Sequence, residues 1–74
     1  MQEMLDLRGL RCPLPVLKAR KALKALPPGT EIIILVTDAS APSDFQDFCT
    51  VSGHQWKGME ILEDHNRLTL RLKT

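Results

Sequence analysis

Gly9-Leu10-Arg11-Cys12-Pro13-Leu14-Pro15, running into Val16-Leu17-Lys18-Ala19-Arg20-Lys21-Ala22-Leu23, is the stretch on which the reading of this chain turns. A residue before proline is pushed out of the α region, so Pro13 holds Cys12 in the extended conformation of a helix N-cap. Pro13 suits a first helical turn, where the N–H it lacks would have no partner. Pro15 disfavours helical geometry at Leu14, which leaves the start of the helix open between Pro13 and Pro15. On either boundary Cys12 lies at the helix mouth with Arg11 beside it. Unpaired N–H groups, the helix dipole and an adjacent cation each favour a thiolate, the dipole by about 0.3–1 kcal/mol where exposed. The expectation is a modestly acidic, exposed and reactive thiol.

Outward from this stretch, Met4-Leu5-Asp6-Leu7 reads as a short strand ended by Gly9. Residues 13–26 carry a helical pattern, with Val16, Ala19, Ala22, Leu23 and Leu26 on one face and Lys18, Arg20, Lys21 and Lys24 on the other. Pro27-Pro28-Gly29 stops it. Ile32-Ile33-Ile34-Leu35-Val36 reads as a central strand covered in part on both sides. After the loop 37–41, Pro42 suits the first position of a second helix, on which Phe45, Phe48 and Cys49 share the buried face and Gly53 gives the stop. Residues 55–63 and 67–73 form two last strands around Asp64-His65-Asn66, the second alternating Leu68, Leu70 and Leu72 with polar residues. The order βαβαββ, with right-handed crossovers, makes an α+β fold. It is a two-layer α/β sandwich in which two helices cover one face of a four-stranded mixed sheet and leave the back face open.

With 74 residues, the chain is read as one domain over 1–74. Apolar residues make up 43% and the net charge is only +1, which argues against a dedicated nucleic-acid binder. Charge is uneven: residues 1–37 hold six Lys/Arg against three acids, residues 38–74 four against six. No run approaches the roughly 18–20 apolar residues of a membrane span, and the first residues lack the cations and apolar core of a signal peptide. Two cysteines 37 positions apart do not resemble a secreted disulfide framework. The expectation is a cytoplasmic protein with reduced thiols, monomeric rather than oligomeric. Whether the outer side of the Ile-rich strand supports a dimer is left open.

Cys49, set among two phenylalanines, reads as a small buried hydrophobe. Whether it pairs with Cys12 depends on a distance that the sequence does not give. The two cysteines and two histidines lack zinc-site spacing, and His54 and His65 fall at a junction and a hairpin turn, poor places for a cysteine-hydrolase partner. No metal or cofactor is expected. Leu14 and Leu17, exposed among Lys18, Lys21 and Lys24, and Arg20 beside them, suggest a docking face for an acidic protein partner; an ordinary solvated helix face is the plainer reading. Trp56 reads as a core or sheet-face residue.

The pattern Leu5-Asp6-x-x-Gly9-x-x-Cys12-Pro13-x-Pro15 resembles the signature of the TusA/SirA-like sulfur-carrier proteins. Ala22-Leu23-x-x-Leu26-x-x-Gly29, Thr37-Asp38, Asp44, Phe48 and Gly53-His54 are similar to further landmarks of that family, so the resemblance spans nearly the whole chain. It implies the two-layer sandwich and a Cys12 that carries sulfane sulfur as a persulfide. A cysteine desulfurase or other sulfane-sulfur donor would load it, and a downstream acceptor protein would unload it, in one branch toward 2-thiolation of tRNA wobble uridine. Gly9, Arg11, Pro13, Pro15 and Asp38 would support the site. The chain departs from the family at Asp38-Ala39, where Asp-Pro is common, and at Leu14, where some members have Glu. Such a protein is a sulfurtransferase-type carrier rather than a stand-alone catalyst. The rival class is a redox-sensing adaptor, which would keep its partner without Cys12.

Overall fold

The structure, a computed structural model, describes residues 2–74. Its elements are β1 (Gln2–Asp6), α1 (Leu14–Leu23), β2 (Glu31–Val36), α2 (Ala41–Ser52), β3 (Gln55–Ile61) and β4 (Asn66–Arg71). They form one four-stranded mixed sheet in the order β1-β2-β4-β3. β1 runs parallel to β2, and β4 pairs antiparallel with both β2 and β3. β3 therefore runs parallel to β2 across β4, so each helix is a crossover between parallel strands. The expected βαβαββ sandwich is the fold.

Register explains the core. Ile32 lies opposite Leu70, and Ile34 lies between Leu5 and Leu68, so alternate residues of three strands share one face. Ile32, Ile34, Val36, Leu68 and Leu70 are fully buried there, beneath Ala19 and Leu23 of α1 and Ala41, Phe45 and Cys49 of α2. The back face carries Glu31, Ile33 and Leu35 of β2 opposite Arg71, Thr69 and Arg67 of β4. Lys57 bonds Glu31 at 3.0 Å across it, and Arg67 reaches Glu60 at 3.4 Å. β2 is thus buried on the core face, while on the other Glu31 and Ile33 are partly covered and Leu35 is buried.

Several ends differ from expectation. α1 stops at Leu23 rather than residue 26. Ala25 and Leu26 donate to Ala22 and Leu23 in tighter i→i+3 bonds, because Pro27 bars helical geometry at Leu26. β3 ends at Ile61, two residues early, and a bulge between Trp56 and Gly58 shifts its register. Gly53 closes α2 in the left-handed region at φ 85°, donating to Cys49 O at 2.9 Å. The left-handed φ is what favours glycine there; a Cβ would also meet the flexible Lys73 side chain at 3.2 Å, which would have to shift slightly.

Candidate functional site

Because β1 and β2 are parallel, the loops that leave their C-terminal ends lie side by side, and both helices start there. Gly9 turns the first loop at φ 84° and donates its N–H to Thr37 Oγ1 of the second at 2.8 Å. Arg8 grips Asp6 through two bonds of 2.8 Å, which holds the Asp6 carboxyl down at about 2. In the second loop Asp38 accepts from the Ser40 N–H at 3.2 Å and from the Ser40 hydroxyl. Asp38 thereby shapes the turn into α2.

Cys12 is exposed and free, in a turn whose Leu14 N–H donates to Arg11 O at 2.8 Å. The Cys12–Pro13 peptide is cis, and α1 begins at Leu14 with Pro13 as its N-cap, inside the range that the sequence leaves open. Of the first helical residues Leu14 spends its N–H on Arg11, Pro15 has none, and Leu17 donates to Pro13 O at 3.2 Å. Little of the usual N-terminal donor set is left for the sulfur.

The groups that do act on the thiol come from α2 and the loop before it. The Asp44 carboxylate, which lines the same groove as Cys12, pushes the thiol above its ordinary range. Ser40 pulls it the other way, while loss of solvent and the charges of Asp44 and Asp38 push it further up. The expected acidic thiol, stabilised by Arg11 and the helix dipole, is thus corrected in direction: the neighbouring acids push Cys12 up, and Arg11 is not among the groups that chiefly shift it.

An open groove of about 640 Å³ runs from Cys12 between the helices, lined by Pro13, Val16 and Arg20 on one wall and Asp44, Asp47, Phe48, Val51 and Ser52 on the other. Val51 is 88% exposed. Of the proposed docking residues, Leu14 and Leu17 are about half exposed on the outer side of α1, and Lys21 is exposed too. Arg20 lines the interhelical groove, and Lys24 lies beside it in a shallower depression with Phe48 and His54. The five therefore divide between an outer face and the groove. Ser40 and Asp47 are site residues that the sequence reading missed, and Asp44, noted there only as a family landmark, was not placed at the thiol. Their i, i+4 and i+3 spacing at the start of α2 places them together, but only the packing of α2 on α1 brings them to Cys12.

Cys49 is 3% exposed and burial raises its thiol pKa. His54 accepts from the Lys73 N–H through Nδ1 at 2.9 Å and meets the Phe48 ring at a tilt, centroids 5.5 Å apart, so it ties α2 to the end of the sheet. Its pKa is lowered by burial and by Lys73. No group of three or more His, Cys, Asp or Glu residues able to hold a metal occurs among the described residues. No helix of the described residues is long and apolar enough to cross a membrane.

Fold and site together define a small α/β protein with one exposed thiol where two crossover helices begin. The family model described as Sulfurtransferase TusA matches residues 3–73, and the chain belongs to that sulfur-carrier family. It is 35% identical over 69 residues to the sulfur carrier protein TusA of Allochromatium vinosum, covering 93% of this chain and 88% of that one. A candidate sulfur carrier of Neisseria meningitidis serogroup A is 50% identical over 52 residues, 70% of each chain. The crystal structure of a SirA-like protein from Desulfitobacterium hafniense superposes with a TM-score of 0.81 over 97% of this chain and 99% of that one; at 23% identity it speaks for the fold alone.

Proposed function

We propose that Cys12 is the sulfur-carrying residue of this chain and cycles between thiol and persulfide. The observation that carries this reading is that Cys12 is the exposed thiol of the chain, at the mouth of the interhelical groove, whereas Cys49 is buried. In loading, the Cys12 sulfur attacks the outer sulfur of a donor persulfide, R–S–SH. The new S–S bond forms as the donor's S–S bond breaks, and the donor sulfur leaves with the electron pair and takes up the proton that Cys12 gives up. The result is Cys12–S–SH and R–SH, with no external oxidant or reductant. Delivery repeats the exchange with an acceptor thiol.

The donor is a cysteine desulfurase or another sulfane-sulfur protein, the acceptor a second protein, and 2-thiolation of tRNA wobble uridine the proposed destination. Pro13 and Pro15 stiffen the presentation of the sulfur, and Gly9 and Asp38 hold the two loops in place. Leu14, Leu17 and Lys21 on the outer face of α1, with Arg20 and Lys24 on its groove side, are the docking residues for acidic partners. The adaptor reading, by contrast, finds no support in a Cys12–Cys49 switch, because Cys49 is buried.

Intact-protein mass spectrometry after incubation with a cysteine desulfurase and cysteine tests the proposal. The expected gain is one sulfur, about 32 Da, in the wild type and in Cys49→Ser but not in Cys12→Ser. A gain that persists in Cys12→Ser would overturn it.

A further inference from the structure

Asp44 lines the same groove as Cys12, and among the described residues no cation pairs with it. The ion pairs among the described residues are Asp6–Arg8, Glu31–Lys57, Asp64–His65 and Glu60–Arg67, and none involves Asp44 or Asp47. Asp44 meets the Ser40 hydroxyl at 3.4 Å, but that hydroxyl is committed to Asp38 by a much shorter bond. Asp47, one turn further along α2, extends the uncompensated charge down the same groove. Arg20 stands on the opposite wall, likewise outside any ion pair, and is not among the groups that chiefly act on the thiol. Beside the acids the wall is apolar, built from Phe48 and Val51.

We propose that Asp44 is a specificity-determining residue whose unpaired carboxylate screens by charge what reaches Cys12, turning away small anionic sulfur compounds and admitting protein partners that bring a cation to Asp44 and Asp47. The proposal rests on Cys12 as the sulfur-carrying residue. Sulfur exchange spreads negative charge over three sulfurs in line, so a fixed carboxylate beside the line disfavours an anionic reactant more than a neutral one. One unit charge at contact distance in water changes a rate by about fivefold. A carrier guarded in this way keeps its persulfide from anionic cellular thiols until a docked partner neutralises the acids.

The test compares two disulfide probes on the reduced protein: dithiodipyridine, which is neutral, and dithiobis(nitrobenzoate), which carries a carboxylate on each ring. In each reaction Cys12 forms a mixed disulfide, the probe's S–S bond breaks, the aryl thiolate leaves with the electron pair, and the Cys12 proton goes to solvent. The same thiol reacts with both, so the ratio of rates is independent of its pKa and isolates the charge effect. Cys12→Ser supplies the background from Cys49. The neutral-to-anionic ratio should fall about fivefold in Asp44→Asn and keep its wild-type value in Asp44→Glu. In the wild type it should shrink as ionic strength rises from about 0.01 M to 1 M, where the screening length falls from about 30 to 3 Å. An Asp44→Asn ratio equal to wild type would overturn the proposal. So would a wild-type ratio indifferent to salt, which decides the matter should the variants fold poorly. No sulfur donor takes part, so failure of persulfide loading would strike the carrier reading and leave this measurement intact.

Discussion

The prolines that present Cys12 also remove N–H donors from the mouth of its helix. Pro15 has no donor, and the turn at Pro13 commits the Leu14 N–H to Arg11. Asp44 then decides the direction, and the thiol pKa rises rather than falls. At the end of β1, Asp6 shows the opposite case, with Arg8 holding its carboxyl down at about 2. A carboxyl whose folded pKa is depressed contributes stability above its unfolded value, and that contribution is lost as pH falls through the folded one. The Asp6 carboxyl resonance should therefore titrate near 2, and Arg8→Ala should return it toward the ordinary value of about 3.9. NMR titration of both proteins checks this; a wild-type midpoint at the ordinary value would mean that the Asp6–Arg8 grip does not form in solution. The Cys-Pro-x-Pro motif and the exposure of Cys12 were legible in the sequence because they are local. Asp44 at the thiol was not, since its approach depends on how α2 packs against α1, across 32 residues of chain.

At the level of elements, α2 carries two roles on two faces. Its inner face buries Phe45 and Cys49 against the sheet, and Phe45 meets Phe48 edge-on at 6.4 Å. The outer flank gives Asp44, Asp47 and Val51 to the groove. Phe45 is fully buried, so Phe45→Ala should cost about 3–5 kcal/mol. That is a large share of the about 4–11 kcal/mol expected of 74 residues. Urea unfolding measures it, and a loss below about 1 kcal/mol would show that α2 is not packed as described. Helical periodicity revealed this inner face from sequence alone. The early end of α1 and the bulge in β3 escaped that reading, because the first depends on the competition between i→i+3 and i→i+4 bonds before Pro27. The second is a register shift that only pairing with β4 defines.

On the whole molecule, parallel pairing of β1 with β2 places two loops, two helix starts and one thiol at the same end, with a cationic outer face on α1 and an acidic wall on α2. A partner that docks on α1 through acids and reaches the groove with a cation would meet both. The double charge reversal Lys21→Glu with Lys24→Glu should lower the rate of sulfur loading from a desulfurase several-fold, with a smaller effect in high salt. Stopped-flow or quenched loading assays check it, and an unchanged rate would remove these lysines from the docking surface. The alternation of β4 and the apolar run of β2 made the sheet legible before any coordinates. The strand order that sets β4 between β2 and β3 is long-range information, and only the structure supplies it.

Locating the transferred sulfur tests the central claim most directly. After loading by a desulfurase and alkylation, tryptic peptides separate Cys12, in residues 12–18, from Cys49, in residues 25–57. The account predicts the additional sulfur, about 32 Da, on the peptide 12–18 alone. Its appearance on the Cys49 peptide, or its absence from both after a donor that loads an established family member, would contradict the account.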